Sequence, residues 1–280
     1  MERRIGVHVY IAGGIDKGLE RAKDLGCTTV QMFSHNPRGW RIGTRGEEEI
    51  ARFRELKNAL DISPVFIHTS YLINLASPSQ DLTGRSEAMV IEELNIADQI
   101  NAEYVVLHTG SASGDDPSSA RRRAIEALEI IAGKGQWKAG LLLENTAGER
   151  GDITSHIHEL AEIIDLVRPG LVAGICIDTC HAFSAGYDIS TAEGVDALAE
   201  EIGRCCGRDM LRLVHLNDSK KRIGSGVDRH EHIGEGAIGK KGFRRFVNHP
   251  FFTGIPLVLE TPKNSEDDDR RNLKTVRAYF

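Results

Sequence analysis

Tyr104-Val105-Val106-Leu107-His108 is a short aliphatic run that stops on a histidine, and Leu141-Leu142-Leu143-Glu144, one helix-length stretch further on, stops on a glutamate. The construction recurs outward in both directions. Val65 to His68 precedes the pair, and Gly174 to Asp178, Leu211 to Leu216 with His215 inside it, and Leu257 to Glu260 follow. Two more runs of like composition, Ile5 to Val9 and Thr28 to Phe33, lie near the N-terminus. The stretches between are amphipathic and carry charged faces. Arg85 to Ile100 and Ser119 to Ile131 place apolar residues at the helical period, and Ile153 to Val167 does so with Asp152 as its predicted N-cap. Continuous apolar runs alternating with helices predict parallel strands buried on both faces, and eight such units close into an α/β architecture, the (β/α)8 TIM barrel.

Six of the eight runs carry a metal-binding type of residue at the end: His68, His108, Glu144, Asp178, His215 and Glu260. Their separations of 40, 36, 34, 37 and 45 residues are each one βα unit, so all six sit at one height on successive strands. In a barrel that height is the C-terminal mouth, where groups from different strands converge. A single histidine ending a strand is more often hydrogen-bonded to a neighbour than bound to metal. Six ligand types in phase make that reading poor, because three carboxylates and three imidazoles buried together without metal are costly to desolvate. His181, in Asp178-Thr179-Cys180-His181, and the pair Asp228 and His230, in a glycine-bracketed loop, bring the pool to nine. Nine donors are too many for one tetrahedral ion and suit two or three, and nitrogen and carboxylate oxygen without thiolate suit Zn2+ or Mn2+ in an open catalytic site.

The chain has 280 residues, which one barrel of roughly 250 fits, and no linker or low-complexity tract divides it; one domain over residues 1–280 is expected. No run approaches the roughly 18 apolar residues of a membrane span, and Met1-Glu2-Arg3-Arg4 leads straight into a strand, so a cytoplasmic location without membrane contact is expected. The five cysteines, Cys27, Cys176, Cys180, Cys205 and Cys206, form no C-x-x-C pair and read as buried thiols. With 35 Lys plus Arg against 41 Asp plus Glu, the formal charge of −6 argues against general polyanion binding.

Some motifs read more plainly. Gly234-Glu235-Gly236-Ala237-Ile238-Gly239 matches a dinucleotide fingerprint as a string, yet no strand leads into it, so a loop is expected. His156 and His158 are two apart on a predicted helix and should not face each other. His35, His232 and His249 have no assignable partner, and Glu266-Asp267-Asp268-Asp269 reads as a helix start.

The segments His68-Thr69-Ser70-Tyr71-Leu72-Ile73-Asn74-Leu75, Glu144-Asn145-Thr146-Ala147-Gly148, Cys176-Ile177-Asp178-Thr179-Cys180-His181-Ala182-Phe183, His215-Leu216-Asn217-Asp218-Ser219-Lys220, Gly226-Val227-Asp228-Arg229-His230 and Leu259-Glu260-Thr261 together resemble the endonuclease IV family of AP endonucleases. The resemblance runs from Gly6 to Thr261. It implies a TIM barrel with three zinc ions: one on His68, His108 and Glu144, a second on Glu144, Asp178, His215 and Glu260 with Glu144 bridging, and a third on His181, Asp228 and His230. It also implies cleavage of duplex DNA on the 5′ side of abasic sites, giving a 3′-hydroxyl and a 5′-deoxyribose phosphate, and removal of blocked 3′ ends, by a monomer. The chemistry agrees, since paired divalent ions lower the pKa of bound water to about 7 and clamp both attacking and leaving oxygens.

Three Zn2+ offset the charge of −6, leaving the DNA footprint to local basic residues, among them Arg38, Lys220 and Arg229. Tyr71 and Leu72 by themselves read as the start of the next helix's apolar face. By the resemblance they push into the duplex with Arg38 and help extrude the abasic nucleotide, whose missing base makes flipping least costly. Thr69 and Thr109 depart from the family's usual Asp and Pro, which bears on the residues behind the ligands. A metal-dependent sugar isomerase or epimerase of related barrel fold accounts for the strand-end ligands but not for His181, Asp228, His230 and the Tyr71-Leu72 pair. A lesion-binding protein with structural zinc predicts closed, thiolate-rich coordination.

Overall fold

Every one of the eight aliphatic runs forms a strand in the computed structural model, which describes residues 3–149 and 151–280. They are β1 (Ile5–Val9), β2 (Val30–Phe33), β3 (Val65–His68), β4 (Tyr104–Leu107), β5 (Gly140–Glu144), β6 (Val172–Asp178), β7 (Leu211–His215) and, after a short antiparallel pair β8 (Asp218–Ser219) and β9 (His230–Glu231), β10 (Leu257–Leu259). All neighbours in the barrel pair in parallel, and the sheet closes by β1 pairing with both β2 and β10. Helices α1 (Ile15–Asp24), α2 (Glu47–Ala59), α3 (Gln80–Ile100), α4 (Pro117–Ala132), α5 (Ile157–Leu166), α7 (Ala192–Cys205), α8 (Gly239–Asn248) and α9 (Asp268–Arg277) alternate with the barrel strands, and a short α6 (Thr179–Ala185) follows β6 directly. This is the TIM barrel the alternation predicts.

The interior of the barrel explains the height of the strand-end residues. Side chains two apart on a strand share a face. Phe66, Val106, Leu142, Cys176, Leu213 and Val258 form one fully buried cluster inside the sheet. Each of them stands two residues before a strand-end residue: His68, His108, Glu144, Asp178, His215 and Glu260 in the same order. Six apolar side chains thus make a floor, and six ligand-type side chains stand on it. Full burial of a large apolar side chain contributes roughly 1.5–3 kcal/mol, so the floor also stabilises the closed sheet. Gly6 shows how tight the closure is: a Cβ there would lie 1.9 Å from the carbonyl oxygen of Thr29, immediately before β2. Phe53, Leu94, Phe243, Phe246 and Leu273 belong to the larger core that lies between sheet and helices.

Helix α3 begins earlier than the apolar period indicates, because Ser79 accepts a hydrogen bond from the Leu82 amide and caps it there. Asp116 does the same for α4 through the Ser119 amide at 2.8 Å. The segment from Asp152 differs from expectation. Asp152 does not cap a helix; its carboxylate accepts from the Glu149 amide, Ile153 to Ser155 run buried and non-helical, and α5 starts only after His156. His156 therefore stands outside the helix. Its ring stacks on that of His158 at 5.6 Å, and both are exposed, so the helical spacing rule that separates them does not apply. The acidic run does open a helix, α9, with Asp268 accepting from the amides of Asn264 and Ser265.

The glycine-rich string is a loop, and it is wrapped round an internal anion. Backbone amides of Gly234, Gly236, Ile238 and Gly239 all point at the carboxylate of Asp218, which is fully buried. Cys27, Cys176 and Cys180 are buried free thiols; Cys205 and Cys206 are only half-buried, which departs from the reading of all five as buried. No helix among the described residues is long and apolar enough to cross a membrane.

Candidate metal centre

The barrel mouth brings the nine sequence-selected side chains together. One set of donor atoms, within 4.8 Å of one another, comes from His68, His108 and Glu144; a second comes from Glu144, Asp178, His215 and Glu260. The remaining residues join by short separations: His181 Nε2 lies 3.3 Å from Asp228 Oδ2, and His230 Nε2 lies 3.2 Å from Asp228 Oδ1. Local structure places this last group. Asp178 ends β6 and caps α6 by accepting from the His181 amide at 2.9 Å, so one helical turn carries His181 back to the mouth. The β8–β9 pairing folds the glycine-bracketed loop over and returns Asp228 and His230 to the same place.

The imidazoles are oriented from behind. His68, His181 and His230 each donate Nδ1–H to a backbone carbonyl at 2.9 Å, of Thr69, Asn145 and Glu260 respectively, which leaves Nε2 facing the centre. His215 is turned the other way. Its Nε2 donates to Gln31 Oε1 at 2.7 Å, and its Nδ1 faces Glu144 Oε1 at 2.9 Å. Gln31 is held in that sense because its amide nitrogen donates to Glu260 Oε1 at 2.6 Å and to His8 Nδ1 at 3.0 Å. Asn217 donates to Asp178 Oδ2 at 2.6 Å while its carbonyl accepts from the Glu260 amide. Thr69 thus supports the centre through its carbonyl rather than its side chain, and Thr109 Oγ1 donates to Thr154 below Glu144.

Electrostatics without an ion are those of a compressed mesh of carboxylates and imidazoles. Burial opposes ionisation of Glu144, yet the imidazoles of His215 and His108 outweigh it and hold the carboxyl well below the usual range. Burial likewise opposes protonation of His181 and His230, but Asp178 and Asp228 prevail, raising His181 well above its ordinary value and His230 to about 9. Burial beside Glu144 and Asp178 pushes the Cys176 thiol up, and burial pushes Cys180 to about 12; their sulfurs nonetheless lie among the donor atoms, Cys176 with Glu144 and His215 and Cys180 with Asp228 and His230. Two buried atoms that point into the cluster, Glu144 Oε2 and His230 Nε2, make no hydrogen bond. Orphaned donors of this kind, in a pre-oriented nitrogen and oxygen set, fit divalent cations.

Gln31 and His8 escape a search for ligand types at strand ends: glutamine is not a ligand type, and His8 stands one residue inside its strand. The inward parity that picks out the six strand-end residues also picks out His8 and Gln31. Replacing Gln31 by Leu removes the partner that orients His215, and the expected result is a roughly 10- to 100-fold loss of divalent-ion affinity, read by competition with a chelator. Unchanged affinity would show that His215 is held without it.

The centre opens into a cleft of about 810 Å³ whose walls include Arg38, Tyr71, Asp228 and Glu260. Tyr71 is 66% exposed and rests its ring edge-on against Phe33 at 5.1 Å. Ser70 donates to the Pro37 carbonyl at 2.8 Å, tying the loop of Tyr71 to the loop that carries Arg38. Leu72 is half-buried and lines an adjoining cavity of about 280 Å³ rather than the main cleft. Lys220 and Arg229 are on the β8–β9 hairpin, paired through the Lys220 amide and the Arg229 carbonyl, and do not line the cleft.

Beneath the Arg38 loop, the histidine without an assignable partner, His35, has one. Its Nδ1 lies 3.3 Å from Glu93, a fully buried carboxyl on α3 to which Ser34 also donates. His232 contacts Asn272, and His249 pairs with Asp196. Burial raises Glu93 from about 4.5 to about 7. An acid raised on folding contributes stability that is fully present below its unfolded pKa and is lost as pH rises through the folded one. Glu93→Gln is therefore expected to match wild-type melting temperature near pH 4.5 and exceed it above pH 7; a wild-type advantage at pH 8 would reject this.

Residues 19–279 match the family model described as xylose isomerase-like TIM barrel. The "Probable endonuclease 4" of Methanoculleus marisnigri is 42% identical over 274 residues, covering 98% of this chain and 97% of that protein. The crystal structure of endonuclease IV from Thermus thermophilus superposes with a TM-score of 0.86 at 36% identity, covering 99% of this chain and 98% of the other. A D-tagatose 3-epimerase-like protein superposes with a TM-score of 0.74 at 17% identity over 99% of this chain and 96% of that one, a likeness of fold alone.

Proposed function

The chain belongs to the endonuclease IV family, and on that premise we propose that its metal-lined cleft hydrolyses the phosphodiester on the 5′ side of an abasic site in duplex DNA. The products are a 3′-hydroxyl and a 5′-deoxyribose phosphate, the same centre clears blocked 3′ ends, and the enzyme works as a cytoplasmic monomer. The observation that carries the reading is the meeting of nine oriented donor residues in one cleft that Tyr71 and Arg38 also line. The sugar isomerase alternative leaves His181, Asp228, His230 and exposed Tyr71 without a task, and the full-length relatives favour the nuclease.

The enzyme is metal-dependent. We assign three Zn2+, with Mn2+ as a substitute: His68, His108 and Glu144 would hold one, Glu144, Asp178, His215 and Glu260 a second, and His181, Asp228 and His230 a third. Bound there, divalent ions supply a nucleophilic water at neutral pH and neutralise charge that develops on the phosphate and the leaving oxygen. The protein's part is orientation. Carbonyls of Thr69, Asn145 and Glu260 and the Gln31 amide hold the outward nitrogen of each ring, so one nitrogen of each of four imidazoles faces the centre without reorientation and has only its proton to lose. The buried carboxylate of Glu144 keeps its charge because imidazoles surround it, and the Asn217 amide donates to that of Asp178. Tyr71 enters the duplex at the lesion with Arg38, where no base stacks against the intruder and extrusion costs least. Lys220 and Arg229 contact backbone phosphate flanking the cleft.

Elemental analysis and cleavage of a labelled duplex carrying one tetrahydrofuran residue test the reading on a single sample. About three zinc ions and a cut on the 5′ side ending in a 3′-hydroxyl are expected; intact DNA from a protein with filled sites overturns it. Tyr71→Ala should weaken binding to the lesion duplex by about tenfold and to undamaged duplex far less. Equal losses on both would reject the wedge.

A further inference from the structure

The rim of the barrel mouth is not uniform. Candidate ligands follow β3, β4, β5, β6, β7 and β10, whereas β1 and β2 supply none. The loops after β1 and β2 instead carry Tyr10 and Arg38, which line the same cleft as Tyr71. Tyr10 is a large aromatic residue left 64% exposed at this place. Its backbone is not free to move away: Arg21 donates to the Tyr10 carbonyl at 2.8 Å and to the Ala12 carbonyl at 2.7 Å. The Lys263 ammonium sits over the Tyr10 ring, 5.5 Å from its centroid, and is itself held by Asp269. An exposed aromatic face on a pinned loop, backed by a cation, is the arrangement that binds a nucleobase by stacking at little cost in ordering.

We propose that Tyr10 is a stacking platform for the nucleobase next to the lesion. The inference rests on the reading of the cleft as a DNA site and goes beyond it by naming a contact to an intact base. An abasic sugar has no π-face, so the partner is a neighbouring nucleotide. That neighbour has no base to stack on at the lesion side, and Tyr10 supplies the missing face. The contact is indifferent to sequence, because every base offers a face, while Lys263 supplies positive charge for the adjoining phosphate.

Steady-state kinetics with the metal-loaded enzyme test this on three duplexes. One carries a single tetrahydrofuran residue; in the other two the base of its 5′ or its 3′ neighbour is replaced by a non-aromatic cyclohexyl group, which removes the π-face without making a second abasic site. Tyr10→Ala is expected to raise KM about tenfold on the first duplex with kcat within about twofold, and Tyr10→Phe to behave as wild type. On the duplex that lacks the stacked base the effect of Tyr10→Ala should vanish, and which duplex shows this identifies the neighbour. An unchanged KM on the first duplex, an equal loss on all three, or a Tyr10→Phe variant as impaired as Tyr10→Ala overturns the proposal. Failure of the wild type to cut the first duplex strikes the DNA reading itself, a separate outcome.

Discussion

Glu144→Gln is expected to fold and to cut an abasic duplex at less than about one hundredth of the wild-type rate. Loss of a group that merely orients a ligand costs about 10- to 100-fold, and Glu144 stands closer to the chemistry than any such group. It is fully buried, and its carboxylate lies 3.3 Å from His68, 3.0 Å from His108, 2.9 Å from His215 and 3.4 Å from His181. The amide keeps the volume but removes one negative charge from among four imidazoles and turns a donor toward one of them. Circular dichroism and metal content on the same preparation separate loss of chemistry from loss of fold. Turnover at the wild-type rate would sink the shared-carboxylate arrangement.

Stripping the divalent ions with a chelator is expected to abolish cleavage and lower the melting temperature, with both restored by Zn2+. A ligand present at about 100 times its dissociation constant stabilises the folded state by about 2.7 kcal/mol. The pH dependence carries a sign that distinguishes the two states. In the stripped protein His230 is raised to about 9 and His181 well above its ordinary value. Such groups lend stability that is complete below the unfolded pKa of about 6.5 and disappears as pH rises through the folded value. Stripped protein should therefore lose stability between about pH 6.5 and 9. Metal binding requires the neutral imidazole and releases protons, so occupancy strengthens over the same interval. The gap in melting temperature between loaded and stripped protein should widen across that interval; a gap that narrows would mean these imidazoles are not the ligands.

Much of the site was legible because strand periodicity leaves little choice. A residue two positions beyond Val106 or Leu142 on the same strand must face the barrel axis, and parallel pairing sets its height. His181 and the Asp228-Arg229-His230 segment were visible only as ligand types near the set. Their placement depends on a helix capped by Asp178 and a hairpin that no local period announces. Asp152 misled because a good capping residue preceded an apolar periodic stretch, whereas burial of Ile153 and Thr154 against the end of β5 holds that stretch out of the helix. Gln31 was hidden by its chemistry. An amide is no ligand, and its importance lies in which way it faces, a property of three neighbours distant in sequence. Leu72 lay on the correct loop, but a turn closed by Ser70 sends it to the adjoining cavity, which Tyr71 lines together with the main cleft.

The apolar floor formed by Phe66, Val106, Leu142, Cys176, Leu213 and Val258 has a kinetic meaning as well as a structural one. A barrel plugged in this way is a blind well. Ions have no back exit through six packed, fully buried side chains, and traffic in either direction passes the rim carrying Tyr71 and Arg38. Loading and substrate entry are thus confined to the mouth side, where the main cleft and the adjoining cavity both reach His68 and His108.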